Sequence, residues 1–523
     1  MKIVSTAQMR EMDRRAMEDF NIKGEALMER AGSGVAMITR RVAEIAGFMH
    51  PVIHLIAGRG QNGGDVFVAA RHLKEQGFAV EVWIAAHKNQ IAGDALIHFS
   101  RMKAAGIEAY EIPTLEDWQQ VSAEPFYAEI IVDGVLGTGL RGPARGPLAG
   151  AIQYIRERSQ ESLVVSIDLP SGLHGDTGLA EGPAVTADVT ATIGLPKAGL
   201  LNQSAIDFVG SLDVVDIGLP AELIEEATPP EDLAFIHLMD LRPLFKRRRR
   251  SSHKGDYGHL LVVGGSRRFT GAVSLTARAA LRSGAGLVTV LAPQSLRQAI
   301  ACDTPELMVM PGLETEEGAL ARENLGWIEQ HADEFSAVAI GPGLTVCDDT
   351  RDLLAGMLKV LKVPLLLDAD AINLYAAYPE LAASVVAPLV MTPHPGECGR
   401  LLRCSAADVQ ADRRAAASAV VAKTGATMVL KGAGSLIASP GQTTQVNLNG
   451  NPGMATGGSG DVLTGVIGGL LAQRFSTFDA CRAGVYLHGR AGDYAAWRRC
   501  QAGVLAGDLI EEIPYALRDI ALR

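Results

Sequence analysis

Cysteine is scarce and poorly spaced for disulfide or metal chemistry. The six cysteines among 523 residues are Cys302, Cys347, Cys398, Cys404, Cys481 and Cys500, all in the second half and none in a Cys-x-x-Cys pair. This excludes a disulfide framework and a zinc site, and predicts buried free thiols in a reducing compartment. Basic charge is also short, with Lys+Arg 48 against Asp+Glu 59 and a net charge of -11. That argues against a surface built for DNA, RNA or anionic lipid. No run approaches the ~18 uninterrupted apolar residues of a membrane span. The opening MKIVSTAQMREMDRRAMEDF carries charges where a signal peptide needs an apolar core. The expectation is a cytoplasmic protein that engages neither nucleic acid nor membrane.

What is present is the balance of a globular chain, 48% hydrophobic and 20% charged. Length divided by ~150 residues per domain gives roughly three units, and two large ones are equally allowed. Glycine is in excess at 57 residues, without a collagen-like period, so many loops are expected where backbone approaches a ligand closely.

The spacing of Ser5 and Gln8, followed by Met9, Met12, Ala16 and Phe20, predicts a capped amphipathic helix, and a second helix is predicted over 25–46. Runs 51–57, 79–85, 129–134, 162–170 and 187–194 then read as strands alternating with helices. Several are apolar throughout, as in strands covered on both faces. The fold class is α/β with a mostly parallel sheet. Residues 221–255 change texture, from acidic and Pro-containing to the basic FKRRRRSSHKGDYG, and read as a linker. The Lys246–Arg250 run reads as a solvated loop, with a nucleic-acid patch as the alternative. A second α/β pattern follows, with strand-like runs at 259–265, 287–293, 337–343, 363–373, 389–397 and 427–435. No internal repeat relates the halves. The expected domains are 1–220 and 256–505, with 506–523 as a tail.

In open α/β sheets ligands bind at the carboxyl ends of strands, and three such ends are chemically loaded in the first half. GRGQNGGD (58–65) satisfies G-x-G-x-x-G through Gly58, Gly60 and Gly63, with Glu81 at 23 residues beyond Gly58. That permits a dinucleotide fingerprint, although Asn62 and Asp65 also suit coordination within the turn. DGVLGTGLRGP (133–143) offers backbone amides and Arg141 to an anion. DLPSG (168–172) places an acid directly after an apolar strand. One such Asp alone reads rather as a cap or turn former, about 2:1; three loaded ends in one domain reverse that in favour of function.

MERAG (28–32), NGGD (62–65), DGVLGTG (133–139) and DLPSG (168–172) resemble the NAD(P)H-hydrate epimerase domain, a Rossmann-like three-layer fold, over roughly residues 1–220. The resemblance implies that Asn62, Gly63, Gly64, Asp65 and Val66, together with Gly137, Thr138, Gly139, Leu140, Arg141, Gly142 and Pro143, contact the hydrated nucleotide. It implies that Asn62, Asp133 and Ser171 hold a potassium ion and that Asp168 contacts substrate. Oxygen-rich ligands suit a hard cation. Gln61 before the motif and Val66 after it depart from the usual NNGGDG.

In the second half, NGNPGMATGGSGDVLTGVIGG (449–469) sets Gly457, Gly458 and Gly460 at the start of an apolar helix, an anion site with Asp461 at its mouth. A carboxylate there can accept a proton from an attacking hydroxyl; the bland alternative is a capped Gly-rich turn. KGAGS, with Lys431, Gly432, Ala433, Gly434 and Ser435, offers a cation, amides and a hydroxyl to a nucleotide, yet is no P-loop. His394 stands in a rigid TPHPGE loop, structural or functional with equal weight. Asp368 and Asp370 in LLLDAD are placed for substrate or magnesium contact.

HKGDYGHLLVVGGS, LDADAIN, TPHPGE and GGSGD together resemble the NAD(P)H-hydrate dehydratase branch of the ribokinase-like superfamily, an α/β/α fold, over roughly 230–505. The resemblance implies that Ala272, Gly343, His394 and Asp461 contact the hydrate. Lys431–Ser435 and Gly460 would contact the adenine nucleotide, ADP with Mg2+ in bacterial-type members. Fusion of the halves matches the bifunctional repair family acting on hydrated NADH and NADPH (NADHX and NADPHX). The expected catalytic residues are then Asp168 and Asp461, with ADP or ATP, the hydrates and further copies of the chain (a homo-oligomer) as partners. The rivals are a ribokinase-like kinase with a non-catalytic N-terminal nucleotide-binding module and, weaker still, an oxidoreductase.

Overall fold

The computed structural model describes residues 1–139, 142–230 and 232–521; the expectations placed on Leu140 and Arg141 lie outside the described residues. The chain divides into two compact units, Met1–His237 and Leu238–Arg523. The division falls inside the segment read as a linker, which is not without structure, since helices Ala221–Glu226 and Leu238–Leu241 form within it. The basic run is exposed, but Arg248 docks, its guanidinium 3.7 Å from the Tyr257 ring centre and donating to Gly284 O at 2.6 Å.

In the first unit, the helix Thr6–Glu18 starts with both hydrogen bonds of the Ser5/Gln8 capping box and buries Met9, Met12 and Ala16. Phe20 falls past its end and is exposed. Seven parallel strands follow: β1 (Val52–Ala57), β2 (Ala79–Ile84), β3 (Ala109–Glu111), β4 (Ile130–Gly134), β5 (Leu163–Ile167), β6 (Val189–Ile193) and β7 (Ser211–Val215). Their order is β3-β2-β1-β4-β5-β6-β7. A short strand, β8 (Leu233–Phe235), comes later in the chain. The central strand β4 is buried at every position, which is why it reads as an unbroken apolar run. Strands β3 and β7 escape the sequence reading because they lie at the sheet edges, where one flank is free and polar residues are tolerated. The strand order reverses between β1 and β4, and that opens a cleft beyond their carboxyl ends.

The second unit contains β9 (His259–Val263), β10 (Leu287–Pro293), β11 (Met308–Gly312), β12 (Ala337–Ile340), β13 (Leu365–Leu367), β14 (Leu389–Met391), β15 (Thr427–Leu430), β16 (Ser435–Ala438) and β17 (Thr444–Asn447). These run in the order β11-β10-β9-β12-β13-β14-β15-β16-β17. Pairing is parallel as far as β15 and antiparallel from β15 to β17. Here the reversal lies between β9 and β12.

The stretch expected as a tail is ordered into a packed element over residues 506–521. Ala506–Ala521 is a helix that buries Leu509, Ile510, Ile513, Ala516 and Ile520, and Arg498 Nη1 reaches its Glu512 at 2.7 Å. The thiols also depart from expectation: all six are free, but only Cys398 and Cys481 are buried, while Cys302, Cys404 and Cys500 are exposed. Among the described residues no helix is long and apolar enough to cross a membrane.

Candidate active sites

In the first unit, β1 runs through Gly58 and Gly60 into the helix Gln61–Glu75. Gly63 is required there, because a Cβ would lie 1.9 Å from the Gly58 carbonyl oxygen. At this turn a cavity of about 660 Å³ opens, and Asn62, Asp65, Gly137, Thr138, Gly139 and Asp168 of the expected set line it. Gly63, Gly64, Val66, Gly142 and Pro143 are not among its lining residues. Val66 is wholly buried, with a methyl group against Gly134. The dinucleotide fingerprint does not hold: Glu81 sits within β2, not at its end, and accepts the Trp83 indole N–H at 2.8 Å. Glu29 of MERAG is likewise structural, since it accepts from Arg71 at 2.7 Å and contacts His72 at 2.8 Å.

Asp168 follows β5 with φ +66°, a left-handed conformation that costs on the order of 1–3 kcal/mol and concentrates at functional sites. Its Oδ1 is ion-paired with Lys197 and accepts the Ile193 N–H at 3.1 Å. Lys197 also donates to the Ile193 carbonyl at 2.7 Å and is almost fully buried. Sequence reading missed Lys197, whose LPKAG context has no motif character, and it missed Asp13, a cavity residue on the first helix. Burial pushes the Asp65 carboxyl well above the usual range, with the Asp168 and Asp13 charges adding to the effect.

Asn62, Asp133 and Ser171 do come together. Ser171 Oγ donates to Asp133 Oδ1 at 2.5 Å, and its N–H donates to Oδ2 at 2.9 Å. The Leu136 N–H reaches Ser171 Oγ at 2.8 Å, and Asn62 Nδ2 donates to Leu136 O at 3.2 Å. Ser166 Oγ adds a further bond to Asp133 at 2.9 Å. Asp133 is fully buried, and burial raises its carboxyl against the pull of these donors. A carboxylate, a hydroxyl, an amide and a carbonyl thus meet in one buried cluster, a donor set that fits a hard monovalent cation.

In the second unit, the helix Ser459–Ala472 begins after Gly458, whose φ of +92° needs glycine. Asp461 lies in its first turn. Burial pushes the Asp461 carboxyl up to about 7, the Asp368 charge adding and Lys431 opposing. Lys431 Nζ bonds Asp368 Oδ1 at 2.7 Å and lies 3.8 Å from Glu397 Oε2. A Cβ at Gly460 would come within 3.5 Å of the same ammonium, so Lys431, Gly460 and Asp461 lie together. Ser435 Oγ donates to Gly432 O at 2.9 Å, and Arg413, which sequence reading missed, braces the loop through the Gly434 carbonyl at 3.3 Å and the Leu430 carbonyl at 3.2 Å.

Asp368 is tied into the protein's own hydrogen bonds. Its oxygens already accept from Lys431, from Thr392 at 2.9 Å and from Thr464 at 2.7 Å. Asp370 instead borders a cavity of about 330 Å³ at the β9/β12 reversal, with Ser266, Phe269 and Thr345. Ala272 and Gly343 meet beside Phe269: a Cβ at Gly343 would lie 3.3 Å from that of Ala272. His394 caps the helix Pro395–Leu402, its Nδ1 accepting the Gly396 N–H at 3.0 Å, while Nε2 sits 3.4 Å from Glu397. Among the described residues, no group of three or more His, Cys, Asp or Glu is arranged to hold a metal ion.

Residues 260–515 match the family described as NAD(P)H-hydrate dehydratase, and residues 24–199 match the YjeF-related protein N-terminus. The bifunctional NAD(P)H-hydrate repair enzyme of Moorella thermoacetica is 40% identical over 522 residues, spanning 99% of this chain and 97% of its own. The Escherichia coli K12 enzyme of the same name is 35% identical over 505 residues, covering 97% and 92%. Among solved structures, an ADP/ATP-dependent NAD(P)H-hydrate dehydratase from Bacillus subtilis, co-crystallised with ATP and Mg2+, is similar at 29% identity and TM-score 0.48, covering 55% of this chain and 98% of that one. Matched from end to end at these identities, the chain belongs to the bifunctional NAD(P)H-hydrate repair enzyme family.

Proposed function

We propose that the first unit interconverts the R and S hydrates of NADH and NADPH, and that the second dehydrates the S hydrate at the expense of ADP, an isomerase joined to a lyase. The observation that carries this reading is a carboxyl group at the open end of each sheet, Asp168 and Asp461, in a chain that aligns throughout with relatives named for hydrate repair.

Hydration leaves a hydroxyl on the ring carbon bonded to nitrogen, and the nitrogen lone pair assists its departure. In the first unit Asp168 exchanges a proton with that hydroxyl or with water. Asn62, Asp133 and Ser171 would hold potassium, which supplies, when bound, a fixed positive charge that orients the nucleotide. Gly137, Thr138 and Gly139 line the space for the substrate.

In the second unit Asp461 accepts the hydroxyl proton as the oxygen bonds the terminal phosphorus of ADP, and the bond from that phosphorus to the bridging oxygen breaks to release AMP. The phosphorylated carbon then loses phosphate with the C–O electron pair, and loss of a proton from the neighbouring ring carbon restores the double bond. Lys431, Gly432, Ala433, Gly434, Ser435 and Gly460 would hold the nucleotide; Ala272, Gly343 and His394 would hold the hydrate. Magnesium, bound with the nucleotide, supplies charge neutralisation at the phosphates. Positioning of donor and acceptor contributes on the order of 7–11 kcal/mol. A carboxyl near 7 suits a general base at neutral pH.

The test mixes both epimers with the full chain, with and without ADP or ATP, and follows each epimer. Interconversion without nucleotide, and nucleotide-dependent recovery of near-UV absorbance with free phosphate, are expected. A stable phosphoester product would favour the kinase rival.

A further inference from the structure

The cavity of the first unit gathers carboxyl groups from three elements: Asp13 from the helix Thr6–Glu18, Asp65 from the helix Gln61–Glu75 and Asp168 from the end of β5. The ammonium of Lys197 is committed to Asp168, to the Ile193 carbonyl and to Thr192. On the helix of Asp13 itself, Arg14 forks onto Glu11 and Glu18, and Arg10 donates to Thr138 O at 3.2 Å. Arg59 and Asp94 complete the charged lining. Asp13 Oδ1 is buried without a hydrogen-bond partner. An unsatisfied buried oxygen costs roughly 1–3 kcal/mol, so a fold that keeps one at the wall of its substrate cavity has left it open to the ligand.

We propose that Asp13 is a second catalytic residue of the epimerase reaction, exchanging a proton with the substrate oxygen on the ring face opposite Asp168. The proposal rests on the epimerase reading of this unit. Epimerisation by loss and return of water needs one proton delivered and one removed, on opposite faces of the ring. Protonated Asp13 donates to the hydroxyl oxygen. The C–O bond breaks, its electron pair leaves with water, and the nitrogen lone pair closes a C=N bond. Water then attacks the other face, the π pair returns to nitrogen, and the surplus proton passes to the Asp168 carboxylate. The opposite epimer runs the same steps with the roles exchanged.

The three acids stand in different surroundings. Burial pushes Asp13 up to about 6, with Lys197 opposing and Asp168 adding, so it can give and take a proton near neutrality. Asp65 is more deeply buried, and burial raises its carboxyl well above the usual range. Asp168 has Lys197 as counter-ion.

The experiment uses the full chain without nucleotide, in heavy-oxygen water, following epimer interconversion and label uptake at the ring carbon across pH. Wild type is expected to take up label in step with epimerisation, with a rate that falls as pH rises through about 6. Asp13→Asn should lower both rates about 10²–10⁴-fold and lose that alkaline limb, while Asp13→Glu recovers at least about tenfold over Asn. ADP-dependent dehydration of pure S hydrate stays at the wild-type rate in both variants. An Asp13→Asn protein that epimerises at the wild-type rate, or equal loss in the Asn and Glu variants, overturns the role of Asp13. A wild type that does not epimerise at all overturns the reading of the unit instead.

Discussion

Asp368 joins Lys431 to Thr464: one carboxylate oxygen accepts from the ammonium at 2.7 Å, the other from the hydroxyl at 2.7 Å. The end of β13 is thereby fastened to the helix that carries Asp461, and the ammonium is held beside the base it influences. The backbone marks the same place, since Ala369 adopts φ +48° directly after Asp368.

Replacing Asp368 tests that fastening. Asp368→Ala removes the 2.7 Å partner of Lys431 and leaves it the Glu397 carboxylate at 3.8 Å and the charge of Asp461, and breaking a buried pair from one side costs about 3–5 kcal/mol. A calorimetric transition of the second unit should move down accordingly, with dehydration impaired and epimerisation unaffected.

Asp461→Asn removes the base and keeps the shape. Dehydration should fall about 10²–10⁴-fold, read as recovery of dihydronicotinamide absorbance, while epimer interconversion persists. Equal dehydration rates in the two proteins would refute the assignment.

The pH dependence follows from the same carboxyl. Asp461 must be ionised to act, so dehydration should rise through about pH 7 and then level. For stability the sign is opposite. A carboxyl raised from 3.8 to about 7 binds its proton more tightly folded than unfolded, so its contribution is present below 3.8 and is lost as pH rises to about 7. Asp461→Asn should therefore gain stability over wild type at pH 8 relative to pH 4, by on the order of a few kcal/mol. Thermal unfolding at the two pH values measures it.

Ser171→Ala strips Asp133 of its shortest hydrogen bond and leaves the Leu136 N–H without its acceptor. The expected cost is about 1–3 kcal/mol in the first unit. Epimerisation should also need far more potassium chloride to reach its maximum than wild type does, with sodium chloride at matched ionic strength as the control.

Central strands were legible because burial on both faces demands unbroken apolar runs, as in β4 and β9. Edge strands such as β3 and β11 were not, since one free flank relaxes that demand. Asp168 announces itself as an acid directly after an apolar strand, and Asp461 by standing beside Gly460 at the start of a helix. Asp13, Lys197 and Arg413 carry no such local mark: each is an ordinary charged residue until folding brings a distant segment against it. His394 was ambiguous for the same reason, because only the fold shows its ring nitrogen capping a helix. The C-terminal stretch misled most plainly, its amphipathic face being as regular as that of any earlier helix.

That last helix bears on how the protein is made. Residues 1–237 form a compact unit that leaves the ribosome ahead of residues 238–523. The second unit, by contrast, leaves Leu509, Ile510 and Ile513 to be supplied by a helix that follows all of its strands in the chain. A ribosome that stalls before residue 506 would thus release the compact first unit tethered to a second unit with an open apolar seam, a species for chaperones and proteases to recognise.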